Sequence, residues 1–187
     1  YGGGWATSFQ DAACAIGVAR ATAPGYGGQA GNVTVVGHSL GGWAAAVIGL
    51  TPAAFTPRGG ACDRTAGSLR PDAVVDMDGA TDEPVDMEDG VPYVTAFFGG
   101  TPAQQPAAYA AADALQNIRR YPGGDDPIPL LLVHGTTDTV VLPAVSSGLH
   151  TALEAAGYPN RLLWVSGGHS AALTSGAVIS AIVALAR

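Results

Sequence analysis

The sequence contains no lysine, and this absence excludes several classes of enzyme. All eight basic residues among the 187 are arginine. Without lysine the chain has no Schiff-base nucleophile, no anchor for pyridoxal phosphate and no Walker-type phosphate loop. Charged residues make up only 12% of the chain, whereas 48% of its residues are hydrophobic. This composition is typical of a folded domain and excludes a disordered chain.

Positive charge is also too sparse for a nucleic-acid surface. The net charge is −7, and the only adjacent basic residues are Arg119 and Arg120, whereas nucleic-acid binding requires a basic face. The sequence has no apolar run of 18 residues that would span a membrane. We therefore expect neither a nucleic-acid partner nor a membrane span. The length suits one domain.

Cysteine is limited to Cys14 and Cys62, which are too few for a zinc site. Two buried thiols are the simpler interpretation. A disulfide is the alternative if the protein is exported, because the predicted helices that flank one strand would bring the two residues to one side. The compartment stays open: extracellular or periplasmic with a disulfide, cytoplasmic without one. We expect no metal site. The glycine-rich segment 25–30 follows a predicted helix and precedes a strand, so it does not match a dinucleotide-binding motif.

Short apolar strands alternate with helices along the chain. The strands are predicted at 33–37, 73–77, 130–134 and 161–165, and the helices at 8–21 (with Ser8 as N-cap), 41–50, 107–120, 145–156 and 173–187. This alternation predicts an α/β fold with a parallel sheet and helices on both faces. We expect 1–187 to form one domain, in which residues 82–127 are an excursion between the second and third strands.

A candidate nucleophile lies between the first strand and the next helix. Residues 37–41 read Gly-His-Ser-Leu-Gly and match G-x-S-x-G. In a nucleophile elbow, a sharp strand-to-helix turn exposes the serine hydroxyl, and the flanking glycines leave room for that turn. The simpler alternative is a glycine-rich turn with an incidental serine. The strand and helix on either side favour Ser39 as a nucleophile.

A serine nucleophile needs a histidine base, and the chain has four histidines. His38 is within the elbow and is expected to point away from the serine hydroxyl. His134 ends a strand, where bonding to the backbone is expected, and His150 is expected to be solvated. His169 follows the last strand, and the carboxyl ends of parallel strands are where such sheets place their active groups. We therefore predict that His169 is the base.

The histidine in turn needs a carboxylate that fixes its tautomer. Asp138 follows the third strand, and the alternatives are Asp76, Asp78 and Asp82 near the second strand. Asp138 is preferred because Ser39, Asp138 and His169 then follow the chain order of the α/β-hydrolases.

Three blocks of sequence also resemble the α/β-hydrolases. They are Val-Val-Gly-His-Ser-Leu-Gly-Gly at 35–42, His-Gly-Thr-Thr-Asp-Thr-Val-Val-Leu-Pro at 134–143 and Ser-Gly-Gly-His at 166–169. Together they resemble the carboxylesterase and feruloyl/acetyl-esterase branch of the α/β-hydrolases, which is similar to the catalytic domain of prolyl oligopeptidases. The resemblance implies a cofactor-free serine hydrolase that cleaves a small-molecule ester through an acyl-enzyme.

The front of the chain departs from that family. Its members carry earlier strands and a glycine motif that donates an N–H to the oxyanion hole, and only about four strands are recognisable here. The chain is therefore expected to correspond to the C-terminal portion of a hydrolase. The N–H of Leu40 is one expected oxyanion donor, and the second is expected to be missing.

Other functions remain open at this point. A peptidase or thioesterase of the same fold would use the same residues. A catalytically silent fragment packed against a partner is an alternative from another class, and an exposed sheet edge would favour self-association.

Overall fold

A four-stranded parallel sheet lies at the centre of the computed structural model, which describes residues 4–51, 62, 67–80, 91–120 and 127–186. In chain order, which is also the order in the sheet, the strands are β1 (Thr34–His38), β2 (Ala73–Met77), β3 (Leu130–Gly135) and β4 (Asn160–Val165). Met77 pairs with His38 on one side and with Val133 on the other. The carboxyl ends of the strands therefore share one edge, and the predicted fold class is confirmed.

Helices cover both faces of the sheet. Within the described ranges they are α1 (Trp5–Thr22), α2 (Leu40–Leu50), α3 (Val91–Phe98), α4 (Pro106–Ala112), α5 (Ala114–Arg120), α6 (Pro143–Ala155) and α7 (Gly176–Leu185), with 3₁₀ turns at Ala23–Tyr26 and Ala171–Thr174. None of the helices described is long and apolar enough to cross a membrane.

The core has two parts, one on each face of the sheet. The larger part contains Val74 and Leu132 together with side chains from α1 to α6, such as Phe9. The smaller part contains Val75 and Val133 from the sheet, packed against the segment of α7. The central strands β2 and β3 are buried at every residue. Apart from Asp76 and His134 they contain only apolar residues and glycine, as is typical of a parallel sheet covered on both faces.

The start of α1 differs from the prediction. Gly4, not Ser8, is the N-cap, and the helix begins at Trp5. Ser8 is an exposed residue within the first turns of the helix, and its backbone N–H donates to Gly4 O. Trp5 packs against Phe9 and Phe98, with ring centroids 6.3 and 5.9 Å apart. These aromatic contacts stabilise a first turn of helix that the predicted Ser8 cap had placed outside the helix.

The excursion between β2 and β3 also differs in detail. The single helix predicted at 107–120 is two helices, because Asp113 has an extended backbone and its carboxylate accepts the N–H of Gln116 at 2.8 Å. The helix α3 was not predicted. In the part of 82–127 that the structure describes, Phe98, Tyr109 and Ile118 belong to the larger core. Residues 81–90 and 121–126 lie outside the described residues.

The end of the chain is interrupted in a similar way. The helix predicted at 173–187 is divided at Ser175, whose hydroxyl oxygen accepts the N–H of Val178 and caps α7. Arg187 lies outside the described residues.

Cys14 and Cys62 form a disulfide, with Cα atoms 5.6 Å apart. The expectation of two free thiols is therefore wrong, and the alternative that the sequence left open is correct. The bond joins α1 to the segment that follows α2, across 48 residues of chain.

Candidate active site

Polar side chains gather where the four strands end. Ser39 directly follows β1, Asp78 directly follows β2, Asp138 lies just after β3 and His169 lies just after β4. Because the strands are parallel, all four residues lie at the carboxyl edge of the sheet, which is where open α/β sheets place their sites.

The backbone at Ser39 is held in an unusual conformation. Its φ is 57° and its ψ is −123°, a region that L-residues rarely occupy outside functional sites. The Ser39 N–H donates to Met77 O at 2.8 Å, which fixes the turn on the neighbouring strand. A Cβ on Gly37 would collide with the backbone of Gly41 and Gly42 at the start of α2. The missing side chain of Gly37 therefore allows the strand and the helix to approach closely.

Ser39, His169 and Asp138 form one hydrogen-bonded chain. His169 Nε2 lies 2.9 Å from Ser39 Oγ, and His169 Nδ1 lies 2.7 Å from Asp138 Oδ2. Because a carboxylate only accepts hydrogen bonds, Nδ1–H donates to Asp138, and Nε2 is left to accept the serine proton. The structure thus brings together the three residues predicted from widely separated segments.

The Asp138 carboxylate is buried and held from both sides. Its Oδ1 accepts the N–H groups of Val140 and Val141 at 2.8 and 3.1 Å, while its Oδ2 faces His169. The two backbone bonds to Oδ1 orient the carboxylate so that Oδ2 faces His169.

His134 supports the loop that carries Asp138. It is fully buried; its Nε2–H donates to Val141 O at 2.9 Å, and its Nδ1 accepts from the Ser146 hydroxyl at 2.6 Å. Nε2 also lies 3.3 Å from Asp138 Oδ2. The expected bond to the backbone is thus present.

The remaining histidines differ from expectation. His150 is half-buried and its Nδ1 contacts Asn160 Oδ1 at 2.5 Å, so it is not simply solvated. His38 was expected to point away from the site. Its ring instead lies beside that of His169, with centroids 4.9 Å apart. Sequence reasoning missed this contact, and the position of His38 next to Ser39 was its only signal.

Of the alternative acids, Asp78 lies near the site, and Asp76 lies within β2 beside Gly42 and Gly79. Burial raises the pKa of Asp78, and the Gly135 N–H opposes this rise. Burial also raises the pKa of Asp76 to about 7, opposed by the Gly79 backbone and increased by the charge of Asp78. A Cβ on Gly42 or on Gly79 would collide with Asp76 Oδ1, so the Asp76 carboxyl is packed under the start of α2. Asp82 lies outside the described residues.

An apolar cavity opens beside the serine. Its volume is about 130 Å³. It is lined by Ser39, Leu40, Trp43, Ala80, Tyr93, Val94, Phe97 and Val141. Leu40 is also the first residue of α2, and the first N–H groups of a helix have no acceptor within that helix. The residue predicted to supply an oxyanion donor therefore lines the cavity.

Among the residues that the structure describes, two overlapping groups of side chains have a spacing suited to a metal ion: His38, Asp78 and His169, and Asp78, His134 and Asp138. Each group includes a member of the hydrogen-bonded chain at Ser39. A cation in either position would therefore compete with that chain.

The parallel sheet, the helices on both faces and the strand–turn–helix at Ser39 are those of the α/β-hydrolase fold. Residues 3–153 match the model of the BD-FAE family, and the chain belongs to this family. The matched region includes Ser39 and Asp138, whereas His169 lies beyond it.

Solved structures with the same fold include several esterases. A truncated form of a carbohydrate esterase from gut microbiota has a TM-score of 0.75 and 22% identity, over 94% of this chain and 66% of that one. An acetyl ester-xyloside bifunctional hydrolase from Caldicellulosiruptor lactoaceticus has a TM-score of 0.73 and 20% identity, over 95% of this chain and 63% of that one.

Thermogutta terrifontis esterase 2, phosphonylated by sarin, has a TM-score of 0.71 and 18% identity, over 99% of this chain and 64% of that one. The chain thus spans between 63% and 66% of the length of these three structures. No curated protein matches it in sequence.

Proposed function

We propose that the protein is a serine esterase that cleaves a carboxylic ester through an acyl-enzyme intermediate. The observation that carries the proposal is the chain of hydrogen bonds from Ser39 Oγ to His169 Nε2 at 2.9 Å and from His169 Nδ1 to Asp138 Oδ2 at 2.7 Å. Membership of the BD-FAE family supports the same reaction class.

In the first half of the reaction, Ser39 Oγ forms a bond to the ester carbonyl carbon while its proton moves to His169 Nε2. The carbonyl π electrons move onto oxygen, and the Leu40 N–H donates to that oxyanion. The buried Asp138 carboxylate stabilises the imidazolium through Nδ1–H. When the oxyanion reforms the carbonyl, the bond to the alcohol oxygen breaks and the alcohol leaves with the proton from His169.

In the second half, water replaces the alcohol and the same groups act again. His169 takes a proton from water, the hydroxide oxygen bonds to the acyl carbon, and Ser39 leaves with the proton returned by His169. The products are the acid and the free enzyme, and the reaction uses no cofactor.

The volume of the cavity beside Ser39 limits the size of the apolar group that the substrate ester can place there. A cavity of about 150 Å³ holds one benzene molecule, so the 130 Å³ available here takes one small apolar group of the substrate. Since acetyl and carbohydrate esters appear in the descriptions of the similar structures, acetylated sugars belong in the first set of substrates tested.

The experiment compares Ser39→Ala with Ser180→Ala, a serine on α7 whose hydroxyl only bonds Gly176 O within its helix. With p-nitrophenyl acetate we expect Ser39→Ala to lose about 10³-fold or more in kcat/KM and Ser180→Ala to match the wild type. A peptide amide and a thioester are assayed in parallel, and faster cleavage of either would favour a peptidase or thioesterase. Ester hydrolysis that survives Ser39→Ala would contradict the assignment.

A further inference from the structure

Asp78 is a second buried carboxylate at the edge of the sheet that carries the triad. Its side chain is 0% exposed, and its φ of 52° places its backbone in the left-handed region. Asp is among the residues that tolerate this region best. Its backbone N–H donates to Val133 O, and its Oδ1 accepts the Gly135 N–H at 2.8 Å. Asp78 therefore joins the end of β2 to the end of β3.

The other carboxylate oxygen faces a histidine. Asp78 Oδ2 lies 3.5 Å from His38 Nε2, which is an electrostatic contact rather than a short hydrogen bond. Oδ2 accepts no hydrogen bond from the residues that the structure describes. A buried carboxylate oxygen in this position favours the tautomer of His38 that carries its proton on Nε2.

That Nε2–H makes a contact with the candidate base itself. His38 Nε2 lies 2.5 Å from the backbone carbonyl oxygen of His169, and because a carbonyl only accepts, His38 is the donor. The loop after β4 is otherwise positioned by backbone bonds such as Thr137 N–H to Gly167 O. Among the residues that the structure describes, His38 is the one that hydrogen-bonds the backbone of His169.

We propose that Asp78 and His38 are positioning residues that form a second aspartate–histidine pair. The pair holds the backbone of His169 in place, and its imidazole therefore stays aligned between Asp138 and Ser39. The inference rests on the proposed function, in which His169 is the base. Asp78 fixes the tautomer of His38, and His38 fixes the carbonyl of His169. When either contact is lost, the backbone of His169 can shift. The imidazole then leaves its hydrogen-bonding position although the His169 side chain is not itself substituted.

Three variants test the pair. Asp78→Asn keeps the shape and the acceptor for Gly135 but removes the charge, and His38→Ala removes the donor. His38→Gln retains a donor on a side chain of similar reach, so it should restore most of the function that His38→Ala loses. The control is Asp72→Asn at the opposite end of β2. Asp72 pairs with Arg20 at 2.8 Å, so this change costs stability without touching the edge where Ser39 lies.

The kinetic readout separates positioning from stability. Misplacement of a catalytic group by about 1 Å lowers the rate by up to about 100-fold. We therefore expect kcat, normalised to the fraction of chains that a fluorophosphonate probe labels, to fall about 10- to 100-fold in Asp78→Asn and His38→Ala. KM should stay within about twofold, and His38→Gln and Asp72→Asn should stay near the wild type. Retention of kcat within about twofold in both Asp78→Asn and His38→Ala would overturn the inference.

A second readout does not depend on turnover. The proton on His169 Nδ1, donated to Asp138, gives a downfield NMR resonance that broadens when the ring becomes mobile. It should be sharp in the wild type, Asp72→Asn and His38→Gln, and broadened or lost in His38→Ala and Asp78→Asn. If no ester were hydrolysed but this pattern held, the proposed function would fail and the positioning pair would stand. A sharp resonance in His38→Ala would overturn the pair.

Discussion

His169 must be neutral to accept the proton of Ser39, so the proposed reaction depends on pH. We expect kcat/KM for short-chain aryl esters to rise from acid pH and to reach a plateau once the imidazole is neutral. The measurement is a pH–rate profile from pH 5 to 9. A rate that is flat through this range would argue against a histidine base.

Asp76 gives a second prediction at the residue scale, which concerns stability. Its pKa in the folded protein is about 7 against an ordinary 3.8, because burial disfavours the charged carboxylate. The folded state therefore holds this proton more tightly than the unfolded state. The resulting stability is fully present below about pH 3.8 and is lost as the pH rises through 7.

We expect Asp76→Asn to raise the free energy of unfolding at pH 8 and to raise it much less at pH 4.5. The difference between 3.8 and about 7 sets an upper limit of about 4 kcal/mol for the gain. Urea titrations at both pH values measure it, and Asp11→Asn on the exposed side of α1 is the matched control. An equal effect of Asp76→Asn at both pH values would contradict the account.

At the scale of elements, the junction of β1 and α2 depends on the missing side chain of Gly37. We expect Gly37→Ala to destabilise the fold by about 2 kcal/mol or more, because its methyl group would overlap the backbone of Gly41 and Gly42. Gly41→Ala is the control, since a Cβ there meets nothing within 4 Å. In thermal melts Gly41→Ala should be neutral or slightly stabilising, as is usual for Gly to Ala in a helix. Equal melting temperatures for the two variants would show that the junction of β1 and α2 can accommodate a methyl group at Gly37, contrary to the account.

The disulfide joins α1 to the segment after α2. Closing a loop of 48 residues stabilises a protein by about 3–4 kcal/mol on the chain-entropy model. We expect dithiothreitol and the double variant Cys14→Ser/Cys62→Ser to lower the melting temperature equally. Dithiothreitol should have no further effect on the variant. A wild type that is insensitive to the reductant would be inconsistent with the bond.

The sheet was largely predictable because its central strands are apolar on both faces. Residues 73–77 form β2 as predicted, and β3 extends the prediction by one residue at Gly135. The helices were less predictable where one polar residue changes the backbone. Asp113 and Ser175 each cap a new helix, and neither stands out from the surrounding alanine-rich sequence.

The candidate site was predictable to the extent that it follows strand ends. Ser39 was selected from its G-x-S-x-G motif between a strand and a helix, His169 from its place after the last strand and Asp138 from the chain order of the three residues. Their roles remain predictions. The contact between His38 and the carbonyl of His169 was not predictable, because it joins residues 131 positions apart and uses a backbone atom that carries no sequence signal.

At the scale of the whole molecule, β1 is an edge strand among the residues that the structure describes, since it pairs only with β2. The strand begins with three β-branched residues and contains no acidic residue, lysine or arginine. Within it, Val36 is 45% exposed. Such an edge is a template for pairing with another chain. We expect self-association or low stability, and Val36→Lys should reduce the association because charged side chains protect edges.

Light scattering with a thermal melt measures both properties. The control is Val183→Lys, a change of the same kind on α7, where Val183 is 46% exposed. A wild-type monomer with a cooperative transition above about 60 °C, which is high for a mesophilic domain, would contradict the expected association.

The central claim, that Ser39 is a nucleophile activated by His169, is tested most directly by labelling with a fluorophosphonate probe and locating the adduct by peptide mass spectrometry. The account predicts one adduct per chain on Ser39, and none in His169→Gln or in heat-denatured protein. An adduct on another serine, or no adduct on folded wild-type protein, would contradict the claim.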